Sequence, residues 1–180
     1  MRIRRVRVQE LRRVVDLYLD GYKDLGNYFY ARRRDAVRYI KWLYRRDRDG
    51  FLVAVERRGG GADAGMESDG GGSGSGSDGD GVEDDHRVEI VGFIASDAFW
   101  LSESGGRVGA IHEIVVSPER RNLGIGTRLM NAAIRRFKEL GLRQVELWVG
   151  VTNPARRFYE NLGFKAEFQS GVWVKMTKAI

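Results

Sequence analysis

The sequence predicts an α/β fold of the α+β type, with a mixed central sheet and helices on both of its faces. Short runs in which charged and apolar residues alternate indicate strands, and longer runs with apolar residues at helical spacing indicate helices. These elements follow one another as strand, two helices, three strands, helix, strand, helix and two strands. That order requires a mixed sheet with helices packed on each side.

Two helices are predicted between the first and second strands. Residues 3–8 alternate in polarity as a strand does, and apolar residues then recur at helical spacing over 9–22. A second apolar stripe begins near Arg33 and lies opposite a face rich in arginine, which is typical of a helix packed on one side of a core. The next strands are predicted over 51–56 and 88–101.

The second half of the chain alternates strands and helices. A helix is predicted from about Asn122 to Leu140, with Gly141 in position to terminate it. A later helix is opened by a proline, which is tolerated in the first turn. The other elements of this half are a strand over 108–116, a strand over 145–149, that second helix over 154–162, and a closing hairpin with strands 164–168 and 172–177.

Residues 59–87 are predicted to form a disordered insertion inside a single domain that spans residues 1–180. The segment consists mainly of Gly, Ser and Asp, so it has too little apolar surface to offset the entropy of ordering. It lies between two predicted strands and therefore enlarges one connection, which costs little because loop-closure entropy grows only logarithmically with length. Within it, residues 59–86 carry eight acidic residues and no lysine or arginine, and the rest of the chain, with 31 basic and 17 acidic residues, has a formal charge of +14.

The composition limits the chemistry that the chain can perform. There is no cysteine, so disulfides, a thiolate nucleophile and cysteine-based metal sites are excluded, and no metal site is predicted. The first residues alternate in charge and no run reaches membrane-spanning length, so we expect a soluble, cytoplasmic protein without a membrane partner. The positive surplus suits an anionic partner, such as a nucleotide-bearing cofactor, a nucleic acid or an acidic peptide.

The strand over 108–116 runs through a basic, glycine-spaced turn into a helix. A helix N-terminus presents unpaired backbone N–H groups and partial positive charge, both of which favour phosphate oxygens. Gly124 and Gly126 allow an anion to approach the backbone, and Arg120 and Arg121 add full positive charge. The spacing fits neither a Walker loop nor a dinucleotide fingerprint. The segment therefore predicts an anion site, with a tight turn that binds nothing as the alternative.

Two segments of the chain carry a resemblance to a known family. The run Arg-Asn-Leu-Gly-Ile-Gly at 121–126 resembles the Arg/Gln-x-x-Gly-x-Gly/Ala acetyl-CoA signature of the GNAT superfamily of N-acetyltransferases. Residues 152–164 resemble the second block of that family, Asn-x-x-Ala-x-x-aromatic-Tyr-Glu-x-Leu-Gly-Phe. One position departs from the pattern, since Thr152 stands where the family has Asn and Asn153 follows one place late. The resemblance covers roughly residues 88–177.

The resemblance implies the GNAT acyl-CoA N-acyltransferase fold, with a central mixed sheet of six to seven strands. In that fold two adjacent parallel strands, here 108–116 and 145–149, splay apart at the cofactor cleft. It further implies that the backbone holds the pyrophosphate of acetyl-CoA and that the pantetheine arm pairs with a strand edge. The cofactor-binding residues implied by the resemblance are Val115, Val116, Arg121, Asn122, Leu123, Gly124, Ile125, Gly126, Thr127, Asn153 and Tyr159.

The resemblance also implies the reaction, which is transfer of an acetyl group from acetyl-CoA to a primary amine by direct attack in a ternary complex. A peptide N-terminus, a lysine and a small amine all suit such a site, and the sequence does not choose among them. Two alternatives stay open: a nucleic-acid-binding module, suggested by the basic body, and a catalytically silent domain that binds acyl-CoA. A homodimer also stays open.

Three residues are predicted to be catalytic. Tyr159 falls on the position of the leaving-group tyrosine of many GNAT relatives, so the resemblance implies that it protonates the departing thiolate; a purely structural aromatic is the alternative. His112 and Glu113 are the candidates for the base that takes a proton from the amine, with proton loss through water as the alternative. Strand alternation sends these two neighbours to opposite faces unless a bulge intervenes.

Aromatic residues are concentrated in the two early helices and their connection. They include six of the seven tyrosines, with Phe29 and Trp42. Aromatics at helical spacing favour core packing over an acceptor pocket. The run from Tyr28 to Tyr30, which lies in the connection, fits a core least well.

Overall fold

The computed structural model describes residues 1–23, 29–57, 88–103 and 105–180. Its strands are β1 (Arg2–Arg5), β2 (Phe51–Arg57), β3 (Val88–Leu101), β4 (Arg107–Val116), β5 (Gln144–Gly150), β6 (Lys165–Ser170) and β7 (Trp173–Ala179). Its α-helices are α1 (Leu11–Tyr22), α2 (Arg33–Arg46), α3 (Ile125–Glu139) and α4 (Ala155–Asn161). The predicted order of elements is confirmed.

The strands form one seven-stranded sheet in the order β1-β2-β3-β4-β5-β7-β6. The β4–β5 pair is parallel, and the other neighbours in the described sheet are antiparallel. Pairing between β4 and β5 covers only Gly109 to Ile111 against Val145 to Leu147, although both strands continue further. The two strands therefore separate toward their carboxyl ends. The predicted mixed sheet with splayed parallel strands is confirmed.

Each face of the sheet has its own hydrophobic core. Helices α1 and α2 bury one stripe each against β2, β3 and the end of β4, around fully buried residues such as Tyr18, Ile40 and Phe93. Helix α3 packs on the other face, where Phe137 and Leu129 are fully buried. Burying one large apolar side chain contributes about 1.5–3 kcal/mol, so these stripes account for the position of the helices.

The structure corrects two predicted boundaries. The strand predicted over 3–8 ends at Arg5, and Val8–Glu10 form a 3-10 turn in which Arg4 donates to the buried carboxylate of Glu10 at 2.6 Å. The helix predicted from Asn122 begins instead at Ile125. Asn122 and Gly124 have φ of 63° and 75°, a left-handed conformation that no α-helix contains.

The predicted insertion at 59–87 lies outside the described residues. The strands on either side of it, β2 and β3, pair antiparallel from Phe51 against Ala95 to Arg57 against Val88. Within the described parts of the chain, no helix is long and apolar enough to span a membrane.

Candidate active site

A cavity of about 580 Å³ lies where β4 separates from β5, between the start of α3 and the start of α4. The residues that line it are Gly21, Tyr22, Ile114, Val115, Val116, Arg120, Arg121, Asn122, Gly124, Ile125, Gly126, Thr127, Asn153, Pro154, Ala155, Phe158 and Tyr159. We call it the cofactor pocket. It contains every predicted cofactor-binding residue except Leu123, whose side chain is exposed to solvent.

The start of α3 presents its backbone to the cofactor pocket. The first hydrogen bond of this helix runs from the N–H of Arg128 to the carbonyl of Gly124. Within the described structure, the amides of Ile125, Gly126 and Thr127 are therefore the unpaired donors of a helix N-terminus. A Cβ added at Gly124 would meet no atom within 4 Å, which leaves the backbone open to a ligand. Free N–H groups, an open backbone and a helix dipole together fit a pyrophosphate.

The two arginines of this loop are tied to the protein body. Arg121 donates from Nη2 to the carbonyl of Gly21 at 2.6 Å, and Arg120 lies 3.5 Å from the carboxylate of Glu56. The first contact holds the end of α1 against the cofactor loop. Gly21 permits this approach, because a Cβ there would lie 2.4 Å from Cγ1 of Val115. Tyr22, the next residue, is thereby fixed beside β4.

A second cavity of about 360 Å³ adjoins the first on the α1 and α2 face of the sheet. The residues that line it are Tyr18, Tyr22, Phe29, Tyr30, Tyr39, Ile111, His112, Glu113, Ile114, Trp148, Val149, Gly150, Asn153, Tyr159 and Trp173. We call it the acceptor pocket. The two pockets share Tyr22, Ile114, Asn153 and Tyr159, so ligands in both would meet at these four residues.

Glu113 lies buried in the acceptor pocket and is held by two tyrosines. The hydroxyl of Tyr22 donates to Oε1 of Glu113, and that of Tyr39 donates to Oε2 at 3.2 Å. Burial raises the pKa of Glu113 to about 7, although both hydrogen bonds oppose the rise. A carboxylate with a near-neutral pKa can exchange a proton at physiological pH.

A β-bulge brings His112 into the same pocket as Glu113. Ala95 pairs with Glu113 and Ser96 pairs with Ile111, so His112 is an extra residue on β4. The two residues of a bulge do not follow strict alternation, and both side chains line the acceptor pocket. Strand alternation alone would place His112 and Glu113 on opposite faces of the sheet. The bulge removes that restriction, so both side chains lie on the same side.

His112 has surroundings that differ from those of Glu113. Its ring makes edge contacts with Trp42 and Trp100, and its Nε2 lies 3.4 Å from the buried carboxylate of Asp97. Burial alone would raise the pKa of Asp97, but hydrogen bonds from His112, a backbone N–H and Arg46 lower it to about 2. Asp97 is therefore ionised at neutral pH and orients the imidazole.

Tyr159 on α4 is buried and lines both pockets. Burial and the nearby charge of Glu113 raise the pKa of its phenol above the ordinary value, so the hydroxyl stays protonated at neutral pH. Asn153 precedes α4, and its Oδ1 accepts from the N–H of Ala155 at 2.9 Å. Asn153 lies one position later than the asparagine of the family motif, but it still lines both pockets.

The early aromatic residues form a pocket wall as well as a core. Tyr18, Tyr22, Phe29, Tyr30 and Tyr39 contact one another ring to ring, and all five line the acceptor pocket. Tyr18 is buried in the core, as helical spacing predicts, and it also lines the pocket. Tyr28 lies outside the described residues.

Some lining residues were not singled out from the sequence. In the cofactor pocket these include Pro154, Ala155 and Phe158, for which the second motif was the available signal. Trp148 and Trp173 line the acceptor pocket from β5 and β7. No local pattern marks these tryptophans, since strand pairing alone brings them to the pocket.

Comparison with known proteins finds a family model and relatives that are all described as acetyltransferases. A model of the acetyltransferase (GNAT) family matches residues 74–164. An uncharacterised N-acetyltransferase of Methanocaldococcus jannaschii is 37% identical over 180 residues, which are 99% of this chain and 66% of that relative. An uncharacterised N-acetyltransferase of Archaeoglobus fulgidus is 39% identical over 161 residues, which are 88% of this chain and 89% of that relative.

Solved structures agree with this assignment. A protein from Pyrococcus horikoshii OT3 has a TM-score of 0.73 and 33% identity, covering 99% of this chain and 98% of its own. The PaiA N-acetyltransferase of Thermoplasma acidophilum, solved in complex with coenzyme A, has a TM-score of 0.68 and 19% identity, covering 99% and 98%. At 19% identity the likeness concerns the fold. The chain belongs to the acetyltransferase (GNAT) family, whose acetyl donor is acetyl-CoA, as its two motifs predicted.

Proposed function

We propose that this acetyltransferase transfers the acetyl group of acetyl-CoA to a primary amine, with both substrates bound at once. The observation that carries the proposal is the meeting of two pockets at Tyr22, Ile114, Asn153 and Tyr159, with the buried carboxylate of Glu113 beside that junction. Two pockets that open onto each other hold two reactants in contact, which replaces a chance encounter by a positioned one.

The cofactor pocket supplies the binding groups for acetyl-CoA. The free amides before Arg128 and the open backbone at Gly124 fit the pyrophosphate. Among the described strands, none pairs with the end of β4, around Val115 and Val116, on its β5 side, so its backbone can pair with an extended chain such as pantetheine. Bound there, acetyl-CoA supplies an activated acetyl thioester.

Glu113 and Tyr159 are suited to the two proton transfers of the reaction. An amine that enters as an ammonium ion needs a base, and the near-neutral pKa of Glu113 fits that role. Tyr159 keeps its proton at neutral pH and lines both pockets, so it can donate to the leaving thiolate. His112 faces the same pocket and remains a second candidate for the base.

The walls of the acceptor pocket favour an amine on an uncharged, apolar carrier. Eight of the lining residues are Tyr, Phe or Trp. Apart from the tyrosine hydroxyls, the ionisable groups among the described lining residues are His112 and Glu113. Aromatic faces attract an ammonium group. No arginine or lysine is among the described residues of this lining, so a carboxylate next to the amine would find neither of these cations to pair with. Peptide N-termini and small arylalkyl amines fit these walls best.

A panel of acceptors tests the function. Release of free coenzyme A would be measured at saturating acetyl-CoA with peptide N-termini, lysine peptides, arylalkyl amines and free amino acids. We expect amine-dependent release that is greatest for uncharged apolar carriers and that falls by about 10²-fold or more in Glu113→Gln. Acetyl-CoA that raises the melting temperature without release for any amine would instead identify a silent binding domain.

A further inference from the structure

Tyr22 connects the junction of the two pockets to the buried carboxylate. Four residues line both pockets, and Tyr22 is the one of these whose side chain hydrogen-bonds Glu113 in the described structure. Tyr39 bonds the other oxygen of Glu113 but lines only the acceptor pocket. Each carboxylate oxygen therefore already accepts a tyrosine hydroxyl, and of these two tyrosines Tyr22 is the one that lines both pockets.

We propose that Tyr22 is a catalytic residue that takes a proton from the acceptor ammonium and passes its own phenolic proton to Oε1 of Glu113. The inference rests on the proposed function. One N–H bond of the ammonium breaks as the proton moves to the oxygen of Tyr22, and the phenolic O–H bond breaks as its proton moves to Glu113. The products are a neutral amine, an unchanged tyrosine and a neutral carboxylic acid, which returns its proton to solvent before the next turnover.

The packing of α1 fixes Tyr22 for this role. Gly21 lets the end of the helix lie against Val115, and Arg121 holds the carbonyl of Gly21 at 2.6 Å. The ring of Tyr22 stacks on Phe29, with centroids 5.6 Å apart. Helix position, backbone contact and ring stacking therefore hold the hydroxyl in place before any acceptor enters, as preorganised catalysis requires.

The electrostatic setting keeps the relay in the correct protonation state. Burial, together with the charge of Glu113, raises the pKa of Tyr22 well above its ordinary value, so the phenol is protonated at rest. The titratable groups that interact with Glu113 are Tyr18 and Tyr22 on α1, Tyr39 on α2 and Tyr159 on α4, with His112 beside it on β4. The phenols among them are neutral at pH 7, whereas Glu113, whose pKa burial raises to about 7, accepts a proton near neutrality.

The matched pair Tyr22→Phe and Tyr39→Phe tests the relay. Each variant removes one hydrogen bond to Glu113 and keeps its ring, so each raises the pKa of Glu113 and moves the acid limb of the kcat/KM profile to higher pH. Tyr22→Phe also removes the relay, so its plateau rate falls by about 10²-fold or more. The fall for Tyr39→Phe should be at least about tenfold smaller.

The acceptor provides a second readout that a structural role would not change. The best amine of the panel would be compared with its analogue that carries a trifluoromethyl group on the carbon bonded to nitrogen. That amine is already neutral at pH 7, so no proton has to be taken from an ammonium ion before attack. The ratio of wild-type to Tyr22→Phe rates should shrink by about tenfold or more with the fluorinated amine. Equal plateau losses in the two Phe variants, or an unchanged ratio with the fluorinated amine, would overturn the relay.

Controls separate this inference from the proposed function. Melting temperature and its rise with acetyl-CoA would show that each variant folds and binds. If Tyr22→Phe does not fold, difluorotyrosine at position 22 keeps the shape and changes the acidity of the phenol. The ratio of wild-type to variant plateau rates should then differ between the ordinary and the fluorinated amine, and an equal ratio would reject the relay. If the wild-type protein acetylates no amine, the proposed function fails. If the wild type acetylates an amine but the plateau rates of Tyr22→Phe and Tyr39→Phe fall equally, the relay is rejected and the proposed function stands.

Discussion

The cofactor pocket and the acceptor pocket are built in different ways. Most of the cofactor pocket comes from two short segments, and the groups proposed to bind the donor are backbone amides at the start of α3. The acceptor pocket is built from side chains on α1, α2, β4, β5, α4 and β7. Tyr22 and Tyr39 are 91 and 74 residues from the Glu113 that they bond. The proposed donor site is therefore local in sequence, whereas the proposed proton chemistry depends on tertiary packing.

The largest expected effect would separate chemistry from donor binding. Tyr159→Phe keeps the ring and removes the proposed proton donor, so turnover should fall by about 10²–10⁴-fold while the acetyl-CoA-induced rise in melting temperature persists. Steady-state kinetics with a verified acceptor, alongside thermal melts, would measure both. A loss of donor binding in proportion to the loss of turnover would show that Tyr159 is structural.

Glu113→Gln should produce a similar loss with a distinct pH signature. Since Glu113 must be ionised to act as a base, wild-type kcat/KM should rise with pH through about 7, the pKa to which burial raises this carboxyl. The variant should lose that limb and about 10²–10⁴-fold of its rate. A variant that keeps the limb would assign it to another group, of which His112 is the first to examine.

The next effect should be confined to the cofactor pocket. Gly124→Val places a branched side chain where the backbone faces the ligand, at φ of 75°. Saturation with a hundredfold excess of acetyl-CoA over its Kd stabilises the wild type by about 2.7 kcal/mol, and the variant should lose this gain. Gly141→Val is the matched control, because Gly141 ends the same helix at φ of 76° with open space around its Cβ and lines neither pocket. Equal loss of the gain in both variants would contradict a binding role for Gly124.

The smallest effect concerns stability and lies in the acceptor pocket. The folded-state pKa of Glu113 is raised from 4.5 to about 7, so between these pH values the folded protein binds a proton that the unfolded chain does not. Stability therefore falls as pH rises through this window. Glu113→Gln lacks this penalty and should be more stable than wild type by about 1–3 kcal/mol at pH 8, with little difference at pH 4.5. Denaturant unfolding at both pH values would measure the difference in free energy of unfolding between Glu113→Gln and the wild type. The same difference at pH 4.5 and pH 8 would show that ionisation of Glu113 does not destabilise the folded protein.

Local patterns predicted the elements and the donor site. The stripes of α1, α2 and α3 follow from side chains at helical spacing, and the loop at 121–126 follows from a contiguous motif. The spacing of apolar residues predicts that α3 starts at Asn122, three residues before its actual start at Ile125. That spacing carries no information about the positive φ of Asn122, which excludes this residue from the helix.

The acceptor side was predictable only in part. Glu113, His112 and Tyr159 were identified, but the bulge that gathers the first two depends on how β3 and β4 pair. Nothing near Tyr22 in the sequence marks it as a partner of Glu113. Its position results from the close approach of Gly21 to Val115, which requires the folded sheet. The sequence signal was therefore strong for groups within one segment and weak for pairs between segments.

The bulge in β4 adds the side chain of His112 to the strand while the residues on either side keep their places in the two cores. Before it, Ile111 packs in the core of α3, and after it Val115 packs in the core of α1 and α2. Removing His112 would restore simple alternation, with Glu113 still facing the tyrosines and both cores unchanged. A single-codon insertion or deletion at this point is thus a one-step evolutionary route by which an imidazole enters or leaves the pocket, independent of the chemistry that Glu113 performs.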